Sequence, residues 1–198
     1  WTKDLYGKNA ESACIGPSGE SLSLISGIIH AKGRAAGRSG VGAVMGSKNL
    51  KALVVRGDQT LPIADPEYAA ELRRKYQAQI RSGTGFSAKY TSTGTPGATI
   101  GSMLVGDAPT RNWKESVLHG PDAALFDFSE LFKVRDKRKA CWRCPIACWG
   151  TCKLEYEGEL IEAHQPEFET EVAFGGNLLN SNPHSVIKAN DVCNRYGL

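Results

Sequence analysis

The order of apolar and polar positions takes a helical period in two stretches of the chain. From Asp65 onward, Tyr68, Leu72, Tyr76 and Ile80 recur at every fourth position, with Asp65 placed to cap, Pro66 at the first helical position, Glu67 in the first turn and Gly83 just past the end. A helix is predicted from Asp65 to the residue before Gly83. Near the other end, Asn182 precedes Pro183, the residues Val186, Ala189, Cys193 and Tyr196 form an apolar face, and Gly197 stands where a C-cap belongs. A second capped helix is expected there.

Strand patterns are shorter. SLSLISGIIH, residues 21–30, alternates from Ser21 to Leu24 and is read as a strand, although Leu24-Ile25 and Ile28-Ile29 break strict alternation. LKALVVRG, ending at Gly57, reads as a buried strand that closes a first unit, and residues 58–64 read as a linker. KLEYEGELIEA predicts a hairpin turning at Glu157-Gly158, with Glu155, Glu157, Glu159 and Glu162 in solvent. Residues 127–140 form a short strand or helix. The stretch from Ser82 to Pro121 is rich in loop residues, and Asn112 and Trp113 belong to a surface loop.

Composition narrows the class. A chain of 198 residues with 41% hydrophobic positions can bury the core of one ordinary domain or two small ones. The net charge of +3 is small, and the cations collect near the cysteines instead of along a stripe, which argues against nucleic-acid binding. No apolar run is long enough to span a membrane, and no secretory leader pattern is present. The chain opens at Trp1 and stops at Gly197-Leu198 in mid-pattern, so a segment of something longer is expected. Four of the six cysteines are crowded together while Cys14 and Cys193 stand apart, unlike a secreted disulfide framework; a reducing, cytoplasmic setting is expected.

Those crowded cysteines carry the sharpest chemistry. Cys141, Cys144, Cys148 and Cys152 in KACWRCPIACWGTC put soft thiolates on one compact stretch, where an iron–sulfur cluster or a zinc ion would take them together. Lys133, Arg135, Lys137, Arg138, Lys139 and Arg143 surround them against Asp136 alone, which stabilises an anionic thiolate site without choosing the metal. Pro145 and Ala147 suit a tight turn, and Trp142 and Trp149 are placed to shield a cluster from water. Disulfides or inert core thiols remain the third alternative.

Two further stretches invite a ligand. In GRAAGRSGVGAVMGSKNLKALVVRG, Gly37, Gly40, Gly42 and Gly46 allow tight turns and close approach, and Arg34, Arg38 and Lys48 suit phosphate. The block is neither a dinucleotide fingerprint nor a P-loop, and a plain turn-rich connection explains it equally well. In HQPEFETEVAFGGNLL, Pro166 with Glu167, Glu169 and Glu171 satisfies the dipole of a helix start, while carboxylates beside His164 and near a metal site also suit proton transfer.

The blocks AAGRSGVGAVMGSKNLKALVV, CWRCPIAC, QPEFETEVAFGGN and NDVCNRYGL, in this order and with WTKDLYGKNAES before them, resemble the aldehyde:ferredoxin oxidoreductase family of tungsten-pterin enzymes. The resemblance implies an α+β chain: residues 1–60 as the end of a pterin-binding β domain, and residues 61–198 as a mainly helical domain bearing the cysteine motif. It implies a parent of roughly three times this length. It also implies a [4Fe-4S] cluster on Cys141, Cys144 and Cys148 with its fourth ligand beyond Leu198, which makes Cys152 a bystander. A tungsten or molybdenum bis-pterin follows, with Mg2+ a candidate bridge between pterin phosphates. Arg38 becomes the phosphate contact, with backbone around Ser39 and Gly40. The family's PEYET-like motif falls on Pro166–Thr170, so that Glu169, or in second place Glu167, is the catalytic carboxylate.

One block departs from the family pattern. Asn194 stands where D-x-x-G-L usually has its aspartate before Gly197 and Leu198, and an amide hydrogen-bonds a pterin differently from a carboxylate. The family's catalytic histidine lies outside this stretch, so neither His164 nor His184 takes that role. The implied activity is oxidation of aldehydes to carboxylic acids, or reduction of a related carbonyl or aromatic acyl substrate. Electrons pass to ferredoxin or an iron–sulfur partner subunit, and a homo-oligomer is among the assemblies allowed. The rival readings are a zinc-stabilised binding module using all four clustered cysteines, and a degenerate fragment without cofactors.

Overall fold

The computed structural model describes residues 2–31, 33–118, 121–127 and 129–198. Trp1 of the opening block, His119-Gly120 of the expected loop and Phe128 of the stretch before the cysteines lie outside the described residues. The fold is α+β, in two compact units: Trp1–Pro62 with Asp191–Leu198, and Ile63–Asn190. Among the described residues no helix is long and apolar enough to cross a membrane.

The first unit runs α1 (Thr2–Tyr6), β1 (Glu11–Ile15), α2 (Pro17–Glu20), β2 (Ile28–His30), β3 (Arg34–Ala36), α3 (Val41–Ser47) and β4 (Ala52–Val55). Its strands form an antiparallel sheet in the order β3-β2-β1-β4, with Cys14 opposite both Ile29 and Ala52. Ile15, Ile29 and Met45 are buried within it. The strand expected over residues 21–30 is confined to Ile28–His30. Upstream, the Ser21 hydroxyl donates to Pro17 O and the Ser26 hydroxyl to Ser23 O, so local bonds compete with a ladder, and Leu22 turns to a φ of 61°. Leu24 is 86% exposed. β4 forms as expected but not as a buried strand: it sits at the sheet edge with Leu53 and Val55 exposed.

The second unit begins with α4 (Pro66–Arg81), where the Tyr68 N–H donates to Asp65 Oδ1 at 2.9 Å and Gly83 follows the last turn with a φ of 73°. The helix is the predicted one, although none of its residues is buried. The stretch read as loop is helical instead: α5 (Gly85–Thr93), a 3-10 turn (Thr95–Ala98) and α6 (Thr99–Val105). Its Thr and Gly content hid this, because Met103 and Thr99 gain their place by burial, not by propensity. Asn112 and Trp113 do lie on an exposed loop.

Two short helices, α7 (Pro121–Ala124) and α8 (Glu130–Lys133), lead to β5 (Arg135–Lys139), β6 (Trp149–Tyr156) and β7 (Glu159–His164), an antiparallel sheet in that order. The β6–β7 hairpin turns at Glu157 and Gly158, both with positive φ, as the sequence predicts. Cys152 and Leu154 on β6 and Ile161 and Ala163 on β7 enter a core with Met103, Leu131, Val172, Val186 and Ile187.

α9 (Phe168–Glu171) starts two residues later than Pro166 suggested, with Glu167 extended at its N-cap, and runs on as a π-helical turn over Val172–Gly176. α10 (Pro183–Tyr196) is capped by Asn182 Oδ1, which accepts the N–H groups of His184 and Ser185. Its buried residues are Val186, Ile187 and Asn190; Tyr196 of the expected apolar face is exposed. The deciding contact is polar, from Asn190 Nδ2 to the His164 carbonyl at 2.8 Å.

Candidate cofactor site

In the first unit, backbone sterics gather three segments around Ser26-Gly27. Ser39 and Gly40 take consecutive left-handed conformations, with φ of 66° and 63°, which aim the chain from β3 into α3. A Cβ on Gly40 would stand 2.5 Å from Leu24 O, so only glycine fits. The Gly42 N–H donates to Ser26 O at 3.1 Å, and the Gly27 N–H donates to Gly197 O at 2.8 Å. Gly42 of the glycine-rich block and Gly197, far apart in sequence, thus both bond the Ser26-Gly27 backbone. Arg38 and Ser39 are exposed, and Arg38 makes no ion pair among the described residues. Asn194 is half-buried on α10. Gly42 and Gly46 serve packing rather than a ligand, since a Cβ on either would clash with Gly27 O or Gly19 O.

In the second unit the cysteine motif occupies the loop between β5 and β6. Its first turn closes through the Cys144 N–H to Cys141 O at 3.0 Å, and Arg143 and Ala147 adopt φ of 57° and 53°. Arg138 Nη2 braces the far side by donating to Ile146 O at 3.1 Å and Ala147 O at 3.3 Å. Gly94, with a φ of 74°, lies directly against the loop: a Cβ there would be 2.2 Å from Cys148 O. Cys141 is exposed, Cys144 and Cys148 are half-buried, and none of the six cysteines forms a disulfide. The donors have the chemistry of a thiolate-held cluster, three soft sulfurs on one turn beside cations. Among the described residues, however, no three His, Cys, Asp or Glu side chains are grouped as a metal cage.

The neighbouring side chains divide differently from the expectation. Trp142 is 79% exposed with the Arg143 guanidinium 4.4 Å from its ring, so it shields nothing in this chain. Trp149 is buried and stacks on His164 at 5.0 Å. Cys152 is 1% exposed inside the core, and burial pushes its thiol up to about 12.

The acidic segment is held to the 95–99 turn by threonines. The Thr95 hydroxyl donates to Glu167 and accepts the Phe168 N–H at 3.0 Å. Glu169 is exposed. Glu171, which the sequence did not single out from its neighbouring glutamates, is 0% exposed and hydrogen-bonded to Thr99. Burial, reinforced by the nearby Glu167, pushes its carboxyl up to about 8 against the opposing Thr99 bond. The missed signal was periodic: Thr95 and Thr99 are four apart, as are Glu167 and Glu171. His164 is a core residue with Nδ1 2.6 Å from Gln165 O, and His184 packs edge-on against Tyr156, so neither stands with the carboxylates.

The model of the aldehyde ferredoxin oxidoreductase N-terminal domain matches residues 1–57, and that of domains 2 and 3 matches residues 71–198. The chain belongs to the aldehyde ferredoxin oxidoreductase family. Within the family, it is 34% identical over 99% of its length to the tungsten-containing aldehyde ferredoxin oxidoreductase of Pyrococcus furiosus, covering 32% of that protein. The same identity and coverage hold for the enzyme of that name from Thermococcus kodakarensis. The WOR-like subunit of an aliphatic sulfonate oxidoreductase of P. furiosus is 30% identical over 93% of the chain and 29% of that subunit. This family chain spans about a third of the length of those curated relatives. A solved structure, the active site complex BamBC of benzoyl coenzyme A reductase with 1,5-dienoyl-CoA, has the same fold, with a TM-score of 0.72, 24% identity, all of this chain covered and 31% of that one.

Proposed function

We propose that this chain is part of a tungsten or molybdenum bis-pterin oxidoreductase that oxidises aldehydes to carboxylic acids or reduces a related carbonyl or aromatic acyl substrate. Electrons leave through a [4Fe-4S] cluster to ferredoxin or an iron–sulfur partner subunit. The observation that carries the reading is 34% identity along 99% of the chain to tungsten-containing aldehyde ferredoxin oxidoreductases.

The chain's own residues have distinct tasks. Arg38, a solvent-facing guanidinium without an ion pair among the described residues, takes a pterin phosphate together with backbone at Ser39 and Gly40, where Mg2+ would share the charge. Asn194, Gly197 and Leu198 meet the pterin edge, the amide giving one donor face and one acceptor face. Cys141, Cys144 and Cys148 hold the cluster with a fourth ligand from outside this stretch. When bound, the metal–pterin supplies two-electron redox chemistry and the cluster passes electrons singly. Glu169, exposed and early in α9, orients water at the substrate or takes its proton. Glu167, fixed by Thr95, holds the segment at its N-cap and is the second carboxylate available for that task. A four-cysteine zinc module would need Cys152 at the metal, and its side chain is instead enclosed in the apolar core with Leu154 and Ile161.

The test is aldehyde-dependent reduction of a viologen dye by the full-length protein under anaerobic conditions. Glu169→Gln is expected to lower kcat by about 100-fold or more with metal content unchanged. An undiminished kcat in that variant would remove Glu169 from the chemistry.

A further inference from the structure

The two threonine–glutamate rungs of the second unit differ in what else each hydroxyl bonds. Thr95 Oγ1 is the acceptor for the Phe168 N–H, so its single hydrogen serves Glu167. Thr99 Oγ1 stands 2.9 Å from Pro96 O, a carbonyl that can only accept, and also bonds the Glu171 carboxyl. A single hydroxyl hydrogen shared between the two oxygens makes two weakened bonds, whereas a proton on Glu171 donated to Thr99 Oγ1 gives each contact a hydrogen of its own.

The surroundings favour the same state. Glu171 is fully buried, its Oε1 has no hydrogen-bond partner, and no cation among the described residues pairs with it. The titratable groups that face it are Glu167 from one turn earlier and Cys152 from β6, and neither brings positive charge.

We infer that Glu171 is a carboxylic acid in the working protein, a positioning residue that donates to Thr99 and stores a proton one turn from Glu167. This rests on the reading of the acidic segment as the proton-handling element, which gives the stored proton its use. The carboxyl's rise from 4.5 to about 8 agrees with the geometry.

The sign of the effect is fixed by linkage. An unfolded chain releases this proton near 4.5 and the folded chain near 8, so the group's contribution is complete below about 4.5, declines as pH rises to about 8, and is flat above. Across that window each pH unit lowers the folding constant about tenfold through this one group. Thermal unfolding of the full-length protein from pH 4.5 to 9 reads it, without turnover or a known substrate. Glu171→Gln, which mimics the neutral acid, is expected to lose that component of the slope and to be more stable than wild type at pH 9. Equal slopes in the two proteins would overturn the inference. Should Glu171→Gln not fold, Glu171→Leu serves the same comparison. Glutamate carboxyl NMR on the wild type needs no variant: a resonance titrating near pH 8 is expected, and absence of any glutamate titrating above pH 7 overturns it. Failure of the redox reading would appear in metal content and leave this slope untouched.

Discussion

Cys148 and Cys152 are four residues apart, and their thiols inhabit different solvents. Cys148 ends a loop whose carbonyls face Arg138 and Gly94, while Cys152 points from β6 into an apolar core. Equal spacing therefore does not make equal ligands. Cys141, Cys144 and Cys148 lie outside the strands, whereas Cys152 sits on a strand paired through Arg135 and Ala163 and cannot turn without losing its ladder. The difference separates the loop proposed to hold the cluster from a side chain that fills volume.

Three substitutions break or sharpen that comparison. The largest effect is expected from Cys148→Ser in the full-length protein, which should lose the cluster and its iron outright by iron analysis and electron paramagnetic resonance. Gly94→Ala comes next. Its φ of 74° and a Cβ 2.2 Å from Cys148 O make the methyl untenable without moving the loop, at a cost of about 3 kcal/mol in denaturant unfolding. The smallest effect belongs to Cys152→Ser, which should keep its iron and lose about 1–2 kcal/mol from a buried hydroxyl replacing a thiol. Iron lost from Cys152→Ser but retained in Cys148→Ser would reverse the assignment.

The acidic segment repeats the lesson. Glu169 and Glu171 are two residues apart, one in solvent and one enclosed, and nothing in PEFETE distinguishes them. The decision is made by Thr99 and by the apolar core of the second unit, remote elements that local pattern does not see.

What was legible in the chain was whatever local chemistry decides. Asp65-Pro66 and Asn182-Pro183 cap their helices through contacts a few residues away, and Glu157-Gly158 sets a hairpin by turn geometry alone. The helices at 85–105 were not legible, because their Thr and Gly are poor helix formers stabilised by packing. The strand expected at 21–27 was not either, since serine hydroxyls there satisfy neighbouring carbonyls in place of a ladder. The residues proposed for the pterin were visible as motifs. That Gly42 and Gly197 both bond the Ser26-Gly27 backbone depends on a chain reversal that no motif encodes.

The most direct measurement is elemental analysis of the full-length protein, purified without oxygen, for iron, tungsten, molybdenum and zinc. About four irons with one tungsten or molybdenum per chain is the result expected of a bis-pterin oxidoreductase with a cubane cluster. About one zinc per chain, with neither iron nor tungsten nor molybdenum, would contradict it and make the cysteine loop a structural site.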